Sequence, residues 1–140
     1  MIWIGIDPGV HTGVGVWDSS AKAVLDVLTL RIDEALVYVR QLHEAGDTLR
    51  VVVEDARQRR WIPQEKDWKE MRGRAMGAGS VKRDCQIWQD FLNAYGIRYE
   101  MQAPHRGMTK WTPEAFARMT GYARRTSNHG RDAAMLVFGR

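Results

Sequence analysis

The chain has 140 residues, of which 27% are charged and 44% hydrophobic, with a formal net charge of +4 and one cysteine. This length predicts a single domain over residues 1–140, since domains commonly run to roughly 100–200 residues. The lone Cys85 excludes an internal disulfide and a zinc site built from several cysteines. No apolar run approaches the ~20 residues of a membrane-spanning helix. No basic segment precedes an apolar one near the first residue, so we expect no signal peptide and a protein of the cytoplasm.

The predicted elements follow the order β-β-β-α-β-α-β-α-α, which indicates an α/β domain with a mixed sheet. We expect strands over residues 1–6, 12–17, 22–30, 50–53 and 97–101, and helices over 32–45, 80–95, 113–120 and 128–138. Residues 57–79 predict a long loop, or a loop with a partial helix over 64–72. Ser80 and Asn128 are the expected N-caps of the helices that follow them. Gly13 and Gly15 in the second strand predict a close approach of another backbone.

Positive charge is concentrated in two segments of the chain. Residues 57–83 hold nine Lys and Arg against three acidic residues, and residues 102–131 hold six against one. The remainder is therefore acidic. Such segregation favours a basic surface that binds a polyanion such as nucleic acid. The alternative is a pair of solvated loops in which basic residues cluster by chance.

Three acidic residues are predicted to converge. Asp7 ends the first strand and Glu54 ends the fourth, so both emerge at one edge of the sheet if these strands are parallel neighbours. Asp132 lies in the last helix, on the stripe that faces the sheet, and His129 precedes it by three residues on the same face. Converging carboxylates repel one another, and a bound divalent cation offsets the free-energy cost of this repulsion. Oxygen ligands with one imidazole select Mg²⁺ or Mn²⁺.

Each of these residues also has an ordinary structural explanation. Asp7 can begin the turn at Pro8, and Glu54 can pair with Arg57 at the surface. Asp132 can interact with the helix dipole, and a histidine near a helix N-terminus can simply face water. Their joint placement favours one shared site over four unrelated structural roles.

Three segments of the sequence resemble the RuvC family of Holliday junction resolvases, within the ribonuclease H-like superfamily. They are residues 4–16 (IGIDPGVHTGVGV), residues 51–54 (VVVE) and residues 129–134 (HGRDAA). The resemblance implies a five-stranded mixed sheet with helices on both faces. It also implies a homodimer whose two active sites nick opposite strands of a four-way DNA junction. Carried over by motif, the metal-binding and catalytic set is Asp7, Glu54, His129 and Asp132, although many relatives have Asp at the position of His129.

Two departures from the family pattern stand out. The turn after Asp7 is one residue shorter than we expect for bacterial members. Relatives often place an aromatic residue three positions after the second acid, where it wedges into the junction. Here that residue is Arg57, and the nearest aromatic is Trp61. The short, divergent chain resembles virally encoded relatives, some of which act on a broader range of branched DNA, so we expect it in a bacterial cell or a phage-infected host.

Phosphodiester hydrolysis needs an activated water and charge neutralisation, and two cations roughly 3.5–4 Å apart can supply both. Our hypothesis is two Mg²⁺ or Mn²⁺ ions per site. On this hypothesis Asp7 would bridge the two ions, Glu54 would bind the ion near the leaving group, and Asp132 with His129 would hold the ion that activates water. His129 is also a candidate general base.

The basic segments are predicted to contact phosphates without reading sequence. The predicted DNA-binding residues are Arg57, Arg59, Arg60, Trp61, Lys66, Lys69, Arg72, Arg74, Lys82, Arg83, Arg106, Lys110, Arg124 and Arg125, and His105, Arg118 and Arg131 are further candidates. An aromatic ring at Trp61 or Trp68 can stack on an unpaired base or pack the segment onto the domain. The apolar stripe of the helix over 80–95 is either a dimer contact or part of the subunit's own core.

Four other functions compete with junction resolution. They are a broader debranching nuclease, a YqgF-like nuclease acting on RNA, a non-catalytic module that binds structured nucleic acid, and an actin-like or sugar-kinase ATPase. The ATPase is disfavoured because 140 residues cannot form a two-lobed nucleotide cleft and no Gly-Lys-Ser/Thr phosphate loop is present. We therefore expect no nucleotide cofactor.

Overall fold

The computed structural model describes residues 1–59, 68–105 and 110–140. Its strands are β1 (Ile2–Asp7), β2 (Thr12–Asp18), β3 (Ala23–Leu30), β4 (Leu49–Glu54) and β5 (Arg98–Gln102). Its helices are α1 (Ile32–Glu44), α2 (Trp68–Ala94), α3 (Pro113–Thr120) and α4 (Asn128–Met135), with a 3₁₀ turn over Ala56–Gln58. The predicted order of elements is confirmed.

The five strands form one mixed sheet in the order β3-β2-β1-β4-β5. β1, β2 and β3 form an antiparallel meander, whereas β1 pairs with β4, and β4 with β5, in parallel. The parallel pairing of β1 with β4 is the arrangement on which the predicted convergence of Asp7 and Glu54 depends. A crossover through α1 connects these two strands, as parallel pairing requires.

Alternation along the strands gives the sheet two buried faces. Ile4, Ile6 and Val53 on one face pack with Val39 of α1 and Trp88 of α2. On the other face α3 and α4 cover two smaller clusters, whose buried side chains are Trp17, Val27, Val52, Phe116, Tyr122, Ala134 and Val137. Burial of apolar surface on both faces, at about 25 cal/mol per Å², is the main force holding the helices to the sheet.

The apolar stripe of α2 is buried within its own subunit. Cys85, Trp88 and Leu92 are fully buried, and two of them belong to the main core cluster. Of the two explanations open for this stripe, the structure supports packing on the subunit's own sheet.

Three glycines allow α4 to lie against β1 and β2. A Cβ atom at Gly5 would stand 1.9 Å from the Ala133 carbonyl oxygen, and one at Gly13 would stand 2.0 Å from the His129 carbonyl oxygen. A Cβ at Gly15 would stand 2.2 Å from the Cα of Ala134. The predicted close backbone approach is confirmed, and it brings the start of α4 beside the end of β1.

Two expectations about helix starts are wrong. α2 runs over Trp68–Ala94 within the described residues, so residues 68–79 are helical and Ser80 is an interior residue rather than an N-cap. The glycines there discouraged a helix prediction, yet each costs only about 1 kcal/mol against alanine, and the packed second half of α2 provides a nucleus from which the helix propagates. In α4 the N-cap is Ser127, whose side chain accepts from the Gly130 amide, rather than Asn128. Within the described ranges, no helix is long and apolar enough to cross a membrane.

Candidate active site

The carboxyl ends of β1, β4 and β5 open into one cleft with a volume of about 480 Å³. Asp7 and Glu54 both line it, since Ile6 pairs with Val53 and the two acids follow these partners. α4 contributes His129 and Asp132 from the other side. The four residues predicted as the metal-binding set therefore face a common space, although they come from three separate elements.

Two of the acidic side chains in the cleft each make a polar contact with a neighbouring side chain. His129 Nδ1 lies 3.0 Å from Asp7 Oδ2. When the imidazole is neutral, it donates Nδ1–H to this carboxylate, which leaves the lone pair of Nε2 available to a ligand. Lys110 Nζ lies 3.6 Å from Asp132 Oδ2. One acid thus has a histidine partner and another has a lysine partner.

The electrostatics of the cleft disfavour ionised acids. Burial, then repulsion from Asp7 and from Asp132, raise the pKa of Glu54 to about 7, against an ordinary value of 4.5. Burial also raises the pKa of Asp7, and Asp132 adds to the rise, while the hydrogen bond from His129 opposes it. Desolvation together with like charge is the condition that a bound cation relieves.

The donor set suits Mg²⁺ or Mn²⁺, since it combines carboxylate oxygens with one imidazole nitrogen. In the conformation described here, no three of the described His, Cys, Asp and Glu side chains are grouped closely enough to hold an ion. His129 and Lys110 instead make the contacts to Asp7 and Asp132. The residues fit such a metal by chemistry and by their common cleft, and binding requires the side chains to turn toward a shared point.

A second carboxylate follows Glu54 directly and has the opposite surroundings. Asp55 is 3% exposed. Its carboxylate accepts hydrogen bonds from Arg57 Nε at 2.7 Å and from Arg57 Nη2 at 3.0 Å. The same guanidinium donates to Gln86 and Gln89 of α2 at 2.8 and 2.9 Å. Arg57 therefore pairs with Asp55 and not with Glu54, and the alternative explanation of Glu54 as its surface partner is wrong.

The predicted DNA-binding residues fall into several groups. Arg59 and Lys110 line the cleft, and the exposed basic residues of α2 and of the segment before α4 are Lys69, Arg72, Lys82, Arg83, Arg124 and Arg125. Arg60, Trp61, Lys66 and Arg106 lie outside the described residues, as do the side chains of Trp68 and Arg74. DNA contact by this set stays a prediction.

Arg131 does not belong with these exposed cations. It is 4% exposed and donates to the Trp111 and Thr126 carbonyl oxygens and to the Asn128 side chain. The expectation that it contacts phosphate is wrong, because its donors hold the segment before α4 in place. Periodicity alone could not show this, since two of the four accepting oxygens are backbone carbonyls, which every residue carries.

Sequence reasoning missed one polar lining residue of the cleft, Gln102, whereas His105, which also lines it, was among the residues expected to contact phosphates. Gln102 ends β5 and pairs in register with Glu54. The predicted strand stopped one residue short of it. Had the strand been extended by one residue, its polar end would have marked the same sheet edge as Asp7 and Glu54.

Comparison with known proteins supports the fold. No family model and no curated protein matches the sequence. Among solved structures, the chain is similar to T. thermophilus RuvC in complex with a Holliday junction substrate, with a TM-score of 0.60 and 20% sequence identity. The match covers 99% of this chain and 91% of that one. The chain thus has a RuvC-like, ribonuclease H-like fold, as the sequence motifs predicted.

Proposed function

We propose that this protein is a divalent-metal-dependent endonuclease that nicks branched DNA, with four-way junctions as its principal substrate. The observation that carries the proposal is the convergence of Asp7, Glu54, His129 and Asp132 in one cleft at the carboxyl edge of a ribonuclease H-like sheet. Ligand sites of open α/β sheets favour this edge. One fold hosts many activities, and the four convergent ligands are what favour a nuclease here.

The residues divide into ligands and supports. Asp7, Glu54, His129 and Asp132 would hold two Mg²⁺ or Mn²⁺ ions, which supply charge neutralisation and a water of lowered pKa for phosphodiester hydrolysis. Asp7 orients the His129 ring through Nδ1. Lys110 neutralises Asp132 in the absence of other cations and is free to move to a phosphate when one binds.

The substrate class follows from charge and from the structural neighbour. Arg59 and Lys110 line the cleft, and exposed basic residues continue along α2, so a phosphate backbone entering the cleft meets positive charge on its way. The similar solved structure is itself a complex with a Holliday junction substrate. A four-way junction has two symmetric strands to cut, so we propose a two-fold homodimer with one active site per subunit. We also propose that the protein cleaves other branched DNA, as some virally encoded relatives do.

A substrate panel tests the proposal. The native protein is incubated with four-way, three-way, flap and linear duplex DNA and with an RNA–DNA hybrid, in Mg²⁺, in Mn²⁺ and in EDTA. We expect paired nicks in the four-way junction with either metal and none in EDTA. Cleavage confined to the hybrid would favour an RNA nuclease, and tight binding with no cleavage of any branched substrate would favour a non-catalytic module. Either of those two results overturns the proposal.

A further inference from the structure

We propose that His105 is a further substrate-contacting residue of the cleft, a neutral imidazole whose Nδ1–H donates to a phosphate oxygen, and that Gln102 and Arg140 are positioning residues that hold its tautomer. The inference rests on the proposed function for its substrate, a phosphodiester. The sequence places His105 in a basic segment, and the new step is the ring atom that donates and the residues that position it.

His105 lies where a substrate contact is needed. It is exposed and lines the same cleft as Glu54 and Lys110. The strand register explains its position, because Gln102 pairs with Glu54 across β4 and β5 and the Asp55 amide donates to the Gln102 carbonyl at 2.7 Å. The chain that leaves β5 is therefore anchored beside the acidic site just before it reaches His105.

The hydrogen bonds around Gln102 determine the protonation of the His105 ring. A guanidinium can only donate, so the Gln102 atom that lies 3.0 Å from the Arg140 guanidinium nitrogen is the amide oxygen. The other amide atom is then the NH₂ group, which can only donate. It lies 3.0 Å from His105 Nε2, so Nε2 accepts this hydrogen bond and carries no proton. The ring is therefore the neutral form with its proton on Nδ1.

The Arg140 guanidinium is well suited to hold Gln102. It lies 5.5 Å from the centroid of the Trp3 ring and makes an ion pair of 3.1 Å with Glu100. The backbone carbonyl of Arg140 accepts a hydrogen bond from the Trp17 indole at 3.1 Å. With the aromatic face and Glu100 fixing the guanidinium, the amide of Gln102 has one orientation that satisfies both of its ends.

This arrangement gives His105 a defined use. Its Nε2 accepts from Gln102, and among the described residues no hydrogen bond to Nδ1 is present. The Nδ1–H group is thus the donor left for a ligand, and an anionic phosphate oxygen is a strong acceptor for it. A charge-assisted hydrogen bond of this kind corresponds to about a tenfold change in affinity. Because Nε2 is the acceptor in the contact with Gln102, the ring can donate only through Nδ1, and the contact depends on the direction of that N–H bond.

The tautomer can be measured without DNA. Long-range ¹⁵N–¹H spectra of the four histidine rings, assigned by the signal lost in His105→Ala, report which ring nitrogen carries the proton. We expect the Nδ1–H form for His105 in the native protein and a shift toward the Nε2–H form in Gln102→Leu and in Arg140→Leu. A native His105 ring that is predominantly Nε2–H overturns the proposal.

Substitution of His105 tests the contact itself. An Asn side chain places its amide donor near the position of Nδ1, whereas a Gln side chain reaches the position of Nε2. We expect His105→Ala and His105→Gln to weaken four-way junction binding about tenfold and His105→Asn to retain most of the native affinity. His43→Ala in α1 is the matched control, and we expect it to bind like the native protein. Equal binding by all three His105 variants and the native protein overturns the contact.

The two proposals fail in different ways. If the native protein cleaves the junction but the His105 variants bind and cleave as it does, the nuclease stands and the His105 contact is lost. If the native protein cleaves no substrate, the nuclease is lost, while the tautomer spectra still decide whether Gln102 and Arg140 position the ring.

Discussion

Glu54 and Asp55 are adjacent carboxylates at the end of one strand, yet their surroundings differ completely. Asp55 is 3% exposed and accepts hydrogen bonds from Arg57 and Gln58. Burial tends to raise its pKa, but these hydrogen bonds outweigh burial and hold the pKa below the ordinary value of 3.8. For Glu54, burial and the neighbouring acids Asp7 and Asp132 raise the pKa to about 7.

The difference lies in the donors that each carboxylate finds. Successive side chains of a strand point to opposite sides, so Asp55 turns toward α2 and its glutamines, and Glu54 turns toward Asp7 of β1 and Asp132 of α4. A buried carboxylate with donors stabilises the fold around it. A buried carboxylate among other carboxylates is destabilising until a cation arrives, which is why we assign Glu54 to function and Asp55 to structure.

The largest effect is expected at the acidic site. Asp7→Asn removes a carboxylate that the proposed ions share, and we expect junction cleavage to fall at least about a thousandfold, because several kcal/mol of charge stabilisation are lost. Junction binding should persist, since the basic surface is untouched. Single-turnover cleavage and a binding titration measure the two effects. Asp33→Asn, an exposed acid of α1, is the matched control, and a fully active Asp7→Asn protein would refute the site.

The next effect concerns the Asp55 side of the comparison. Arg57→Leu leaves a buried carboxylate without its guanidinium, and we expect the free energy of unfolding to fall by about 3 kcal/mol. Urea denaturation measures it. Arg31→Leu breaks an ion pair in which both side chains are more than half exposed, and no measurable change is expected there. Native stability in Arg57→Leu would show that the Asp55 network does not hold α2 to the end of β4.

A smaller effect of opposite sign, a rise in the free energy of unfolding, is expected for Glu54→Gln in EDTA. The pKa of Glu54 is about 7 in the fold, and its ordinary value of 4.5 applies to the unfolded chain. The native state therefore binds more protons between these values, and stability falls as pH rises through them. We expect Glu54→Gln to gain about 1–2 kcal/mol at pH 8, after allowance for solvent screening, and nothing at pH 4, where the carboxyl is protonated in both states.

The pH dependence of the melting temperature measures this gain. Mn²⁺ should stabilise the native protein at pH 8 and have little effect on the Glu54→Gln variant, since a ligand that binds only the folded state raises its stability. If the variant is destabilised at pH 8 in EDTA, then Glu54 has a stabilising partner that the comparison with Asp55 overlooks.

The smallest effect concerns the exposed cations. Arg125 lies in the segment before α4, and Arg98 begins β5 at the opposite edge of the sheet. We expect Arg125→Ser to lower the slope of log affinity against log salt by about 1, and Arg98→Ser to leave it unchanged. Fluorescence anisotropy over a salt series measures both slopes. Equal slopes would remove Arg125 from the DNA-binding surface.

Local pattern was enough to predict most of the fold and the acidic set. Apolar runs, alternation and the glycines of β2 identified the elements in order, and the strand ends placed Asp7 and Glu54 at one edge. These features depend on residues close in the chain, where the period of 2 or 3.6 is visible directly. The resemblance to the RuvC family then supplied a fold that the structural comparison confirms.

Contacts between distant parts of the chain settled the remaining points. Arg57 finds Gln86 and Gln89 about thirty residues away, Arg131 finds the Trp111 carbonyl, and Gln102 finds Arg140. The sequence does not reveal the partner of a charged residue, because pairing depends on which side chains the sheet brings together. The sequence therefore identified the residues able to do chemistry, while tertiary packing separated Glu54 from Asp55 and the exposed cations from the buried Arg131.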